Sequence, residues 1–269
     1  MIANIQSALA TEIEKFHFTL GNGDKVWAPY LGNRNFSQDN KVIRGLGKSS
    51  PQEILESITY IEANFEGIKP EDIRRKLIDG SLPLEHMNYK GIDCSGFVFY
   101  VFDALYRTTY GVGLDAILSV PKQDVLNGAM NFEEWKAVYS ISEEEAQALP
   151  EDVSMSWVVD TFKRRPVNLC RVLSLVSDHS SNKVNGTPEV GDLVYMRIPD
   201  DPVPHVGIIV ELGVDRLDVV HSGRSNPEDT GGVCTETVPY SGIVVDTMAM
   251  DKPREFLGVR RLKTPDEVQ

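Results

Sequence analysis

Three side chains able to do covalent chemistry stand out by type and setting: Cys94 in G-I-D-C-S-G-F-V-F-Y-V-F, His205 at the head of H-V-G-I-I-V, and His221 in L-D-V-V-H-S-G. Cys94 lies at the start of an apolar run, between Asp93 and Ser95, both able to cap a helix N-terminus. The partial positive charge of a helix end favours a thiolate, and unpaired N–H groups there can face a developing oxyanion. A structural cysteine uses neither effect, although Asp93 opposes the thiolate electrostatically.

A nucleophilic thiol needs a base. His205 opens an apolar strand and His221 closes the next, with an even spacing of 16. In an unbulged hairpin the connecting loop must then hold an odd number of residues for both rings to share a face. A loop of three, Leu212 to Val214, sets them directly opposite. A loop of five sets them diagonally, with His221 across from Gly207. A loop of four puts them on opposite faces and ends the proposal. In either favourable register one imidazole can hydrogen-bond the other and fix its tautomer.

The remaining candidates have plainer readings. Cys170 and Cys234 lie in or beside apolar segments and read as packing residues. His17, His86 and His179 sit in polar surroundings and receive no role, although His86 is close enough in sequence to Cys94 to line a cleft. Asp192, in the G-D-L turn, reads as a clamp on the strand that follows. Cys94, His205 and His221 are also three plausible zinc ligands, but their spacing lacks any C-x-x-C or H-x-x-x-H pair.

The elements that must position these groups follow from period and punctuation. Residues 1–16 read as an amphipathic helix and 17–48 as turns around short strands. Ser50, Pro51 and Glu53 form a helix start with a capping box, and that helix runs to about Asn64. A second begins near Pro70 and stops at Gly80. The helix after Cys94 is apolar over more than half its circumference and should be buried. Residues 107–187 read as mostly helical, including N-F-E-E-W-K-A-V-Y, a solvated start at S-E-E-E, M-S-W-V-V-D-T-F and L-C-R-V-L-S-L-V. From Glu189 the period switches to two: G-D-L-V-Y-M-R-I, H-V-G-I-I-V-E-L and L-D-V-V-H-S-G form a meander, and G-I-V-V-D-T-M and F-L-G-V-R-R-L add two strands. Helices followed by an antiparallel sheet is the α+β pattern.

Bulk properties narrow the partners. The chain has 269 residues, 41% hydrophobic and 25% charged, which suits a soluble protein that buries a core without staples. A formal charge of −13 disfavours nucleic acid and anionic membranes. No apolar run approaches bilayer length, and the N-terminus has no secretory pattern. Three cysteines fit free thiols in a reducing compartment. The expected location is cytoplasmic, or outside the cell by a route that needs no cleaved signal.

In order, D-C-S-G-F-V, V-G-D-L-V-Y-M, H-V-G-I-I-V and V-V-H-S-G resemble the NlpC/p60 family of papain-like cysteine peptidases, which hydrolyse cell-wall peptides. The likeness covers about residues 89–105 and 188–262, less than half the chain. It implies a papain-like α+β fold, with the helix that carries the nucleophile packed on an antiparallel sheet. It makes Cys94 the nucleophile, His205 the general base and His221 the polar residue that orients His205. It implicates Asp93 and Ser95 in holding the free amino end of the substrate, and Tyr89 as a substrate-side tyrosine. The implied reaction is hydrolysis of an amide after D-γ-glutamate in a peptidoglycan stem peptide, through an acyl-thioester. The implied substrate is a small peptide or muropeptide, with no cofactor and no metal.

The resemblance divides the chain into an N-terminal segment, 1–88, forming a small module or a wall of the substrate groove, and a peptidase domain, 89–262. The Cys94 to His205 interval exceeds what compact members need, so 107–166 reads as a helical insertion, a lid or another wall. Acyl transfer from the same thioester, and a papain-like binding protein without catalysis, are the alternatives.

Overall fold

The structure is a computed structural model that describes residues 5–32, 35–38, 41–44, 47–82, 89–130, 142–197, 204–224, 231–240 and 255–268. Helix α1 (Ile5–Glu14) is followed by two hairpins, β1 (His17–Thr19) with β2 (Lys25–Trp27) and β3 (Asn35–Gln38) with β4 (Lys41–Arg44). Helix α2 (Pro51–Asn64) starts at the expected capping box: Ser50 accepts from the Glu53 amide, and the Glu53 carboxylate accepts from the Ser50 amide at 2.7 Å. A 3₁₀ turn at Pro70–Asp72 leads into α3 (Ile73–Ile78).

Helix α4 (Cys94–Tyr110) is the apolar helix read from the sequence, and it ends at Gly111 in the left-handed region. Phe97, Val98, Val101 and Phe102 are all buried, because α4 packs on α1 along one side and on the sheet along another. Each such side chain contributes about 1.5–3 kcal/mol by leaving water. The middle section follows with β5 (Ser119–Pro121), α5 (Lys122–Met130), α6 (Glu143–Ala148), β6 (Asp152–Ser154), α7 (Met155–Phe162), α8 (Pro166–Leu169) and α9 (Val172–Val176). Leu114, Leu118, Val153, Met155 and Phe162 join the same hydrophobic cluster as α4, so residues 107–166 contribute to the principal core. L-C-R-V-L-S-L-V, expected as one helical segment, is split because Cys170 and Arg171 are extended.

The sheet has six antiparallel strands: β7 (Ser181–Lys183), β8 (Leu193–Arg197), β9 (Pro204–Leu212), β10 (Arg216–Arg224), β11 (Gly231–Pro239) and β12 (Glu255–Leu262), in the spatial order β11-β10-β9-β8-β12-β7. A short α10 (Pro265–Val268) ends the described chain. The meander β8-β9-β10 and strand β12 match the sequence reading. Strand β11 does not, because its glycines and alternating threonines carry little apolar signal. The strand expected at G-I-V-V-D-T-M, the helix at N-F-E-E-W-K-A-V-Y and His86 lie outside the described residues.

The N-terminal segment is stitched into this core. Pro29 bridges Gly232 on β11 while Tyr30 and Lys48 bridge Ile92, and the Asp93 amide donates to the Gly47 carbonyl at 2.8 Å. Phe16 meets Phe97 edge-on at 5.2 Å. Among the described residues no helix is long and apolar enough to cross a membrane.

Candidate functional site

Cys94 is the first residue of α4, and Asp93 is its N-cap, accepting from the Gly96 amide at 2.7 Å. The chain reaches that point through Ile92, whose carbonyl accepts from the buried Ser222 hydroxyl at 2.8 Å. The paired register of β9 with β10 ends at Val220 and Ile208, short of the two histidines. At this end of the pair the sulfur meets β9: the Val206 backbone N–H, one residue past His205, donates to it.

The hairpin reaches the required geometry by an unexpected route. Leu212 pairs with Leu217 and Glu211 with Asp218, leaving four residues between the paired ends. That even loop sends the two histidines to opposite faces in a regular hairpin. Between Asp218 and Val219 the register shifts, Val219 pairs with Ile209, and Val210 becomes the extra residue of a β-bulge. The bulge restores parity. His205 Nε2 lies 2.9 Å from His221 Nδ1, with the rings nearly perpendicular at 88°. Extending the register sets His221 level with Gly207, where an added Cβ would lie 3.2 Å from the His221 Cβ. This is the diagonal arrangement expected of a five-residue loop.

The relay continues past His221. On β11, Cys234 pairs directly with His221 and Glu236 points to the same face two residues on. His221 Nε2 is 3.2 Å from Glu236 Oε1 and 3.7 Å from Cys234 Sγ. Burial pulls the fully enclosed His221 toward neutrality, but hydrogen bonds to Cys234 and Glu236 outweigh it and push the imidazole up to about 9. Both neighbours favour positive charge on the ring, Cys234 through its hydrogen bond and Glu236 through its own bond and charge.

The thiol is not the acidic one suggested by its helix terminus. Burial raises Cys94 to about 11 and the Asp93 carboxylate adds to the rise, against opposition from Lys48 and the amides of Val206 and Ser95. Cys94 keeps partial solvent exposure as a residue, while protein atoms enclose the sulfur. At neutral pH the sulfur therefore carries its proton, and chemistry at this sulfur would need a base to take it.

Asp93 and Ser95 are where the sequence places them, but an internal cation engages both. Lys48 Nζ donates to Asp93 Oδ1 at 2.7 Å and to Ser95 Oγ at 2.5 Å, and all three residues are buried. Gly96 permits this approach, since a Cβ there would meet the Gly47 carbonyl and the Lys48 side chain at 3.1 Å. A substrate amine would have to displace Lys48 to reach the pair. Tyr89 is turned into the cluster of Leu31, Ile61, Ile73 and Leu77, 1% exposed, its hydroxyl buried with no partner among the described residues. In this arrangement it presents no surface to a substrate.

Cys170 is the packing residue expected, fully buried beneath Ser95. Cys234 is not, since it serves His221. Asp192 clamps β12 to the start of β8 by accepting two bonds from Arg261, at 2.7 and 2.9 Å. His17 stacks on Trp27 at 4.2 Å. Sequence reasoning missed Glu236, Cys234 and Lys48. The alternation C-T-E beside a histidine strand was a usable signal for the first two, whereas nothing local marks Lys48. No protein-family model, no curated protein and no solved structure matches the chain.

Proposed function

We propose that the chain is a papain-like cysteine peptidase or amidase that hydrolyses an amide in a small peptide, with a peptidoglycan stem peptide as the leading substrate class. The observation that carries the reading is the junction of α4 with β9. The Cys94 sulfur takes the Val206 N–H, and the adjacent His205 is held through Nε2 by His221 at 2.9 Å. As the sulfur attacks the carbonyl carbon, its proton passes to His205 Nδ1. Attack requires His221 without the added proton that Cys234 and Glu236 favour; the Nε2–H of His205 then donates to His221 Nδ1, and Glu236 compensates the charge that accumulates on the pair. The backbone N–H of Cys94, at the start of α4, faces the oxygen that becomes negative. His205 returns the proton to the leaving amine, and water then resolves the thioester.

Lys48 bears on the substrate. The amine-holding role that the family gives to the residues flanking the cysteine is filled by the chain itself. Substrate recognition therefore does not depend on a free amino terminus at Asp93 and Ser95. The acidity of the chain favours soluble peptides over anionic wall polymers.

The test is mass spectrometry of defined stem peptides, with free and with acetylated amino termini, incubated with the wild-type protein and with Cys94→Ala. Cleavage of both peptide forms at one amide, by the wild-type protein alone, is the expected result. Equal turnover by Cys94→Ala, or no amide cleaved by the folded wild-type protein, overturns the reading.

A further inference from the structure

We propose that His221, Cys234 and Glu236 form a site for a zinc-like divalent ion. The three side chains leave the same face of β10 and β11, and their ligand atoms all lie within 4.8 Å of one another. Zinc bond lengths to S, N and O imply ligand separations of about 3.3–3.6 Å around a tetrahedron. The observed 3.7 Å from nitrogen to sulfur and 3.2 Å from nitrogen to oxygen are close to those edges. Only the Cys234 to Glu236 edge must close, by about 1 Å, a side-chain adjustment.

Two further features suit an ion. Glu236 Oε2 is buried with no hydrogen-bond partner among the described residues, so one strong acceptor has nothing to accept from. His221 is 0% exposed and its Nδ1 is held by His205, the outer hydrogen bond that fixes the orientation of a ligating imidazole. A thiolate, an imidazole and a carboxylate together favour zinc over magnesium or calcium. Cys234 and Glu236 are partly exposed, leaving a fourth position for water.

Binding displaces the Nε2 proton of His221 and the Cys234 thiol proton into solvent.

Cobalt(II) titration of the purified full chain reads the site directly, through the near-ultraviolet thiolate-to-cobalt absorption. Zinc competition against a chromophoric chelator gives the affinity. One ion per chain is expected, with the band lost and zinc affinity at least about 100-fold weaker in Cys234→Ser, since removing a ligand costs more than removing its outer partner. Cys94→Ala should bind as the wild-type protein does. No band in the wild-type protein, or a band lost in Cys94→Ala and kept in Cys234→Ser, overturns the site.

Discussion

Replacing Lys48 with Met removes the only basic partner of Asp93 among the described residues and leaves a buried carboxylate at the mouth of α4. The Lys48 ammonium lies 2.7 Å from the carboxylate, with side chains 6% and 10% exposed, so solvent replaces little of the lost interaction. Breaking a buried pair by removing one partner costs about 3–5 kcal/mol. Asp93 still accepts from the Gly96 amide at 2.7 Å and from the Ser95 hydroxyl at 3.1 Å, which places the loss near the lower end, about 3 kcal/mol. For a chain of this size that lowers the melting temperature by roughly 6–12 °C. Adding Asp93→Asn removes the stranded charge and keeps an oxygen for the Gly96 amide, so the double variant should recover most of the loss. Urea unfolding of the wild-type protein, both single variants and the double variant measures the cycle. Lys48→Met within about 1 kcal/mol of wild type, or a double variant no more stable than the single, refutes a buried ion pair at the site.

Two further outcomes probe the site and its frame. Gly223→Ala places a Cβ 2.8 Å from His221 Nδ1 and 3.4 Å from His205 Cε1, so it should separate the rings and cut turnover by about 10²-fold while circular dichroism stays native; unchanged turnover contradicts the histidine contact. Burial tends to raise the Glu53 carboxyl, but bonds from Arg165 and Ser50 hold it down at about 2, against 4.5 for the free group. A depressed acid stabilises the fold above its unfolded value and loses that contribution as pH falls through its folded value. The difference in melting temperature between wild type and Arg165→Ala should therefore persist above about pH 4.5 and close toward pH 2; a difference that grows on acidification contradicts the assignment.

Where one residue type has one physical use, the sequence was legible. Ser50, Pro51 and Glu53 announce α2, the apolar circumference after Cys94 announces a buried helix, and the period-two runs announce the meander. The histidine pair was legible in chemistry and hidden in mechanism. Parity alone asked for an odd loop, and the chain uses an even one with a bulge at Val210, which hydrophobic alternation does not reveal. Cys94 shows the limit of local argument. Its helix terminus favours a thiolate, but the enclosure that raises the thiol arises from residues far apart in sequence. Lys48 lies 45 residues before Asp93 and is brought there by the Gly47–Ser49 segment bonding beside Gly91–Asp93, a contact no local pattern encodes.

The central claim is that His205 serves the Cys94 sulfur, and alkylation kinetics at single cysteines test it most directly. Wild-type protein and His205→Ala are treated with iodoacetamide near pH 9, where His221 releases its added proton, and Cys94, Cys170 and Cys234 are followed separately by peptide mass spectrometry. The account predicts that Cys94 reacts faster than the fully buried Cys170, and that His205→Ala slows Cys94 by about 10²-fold while leaving Cys170 unchanged. A Cys94 rate that is the same with and without His205 would contradict it.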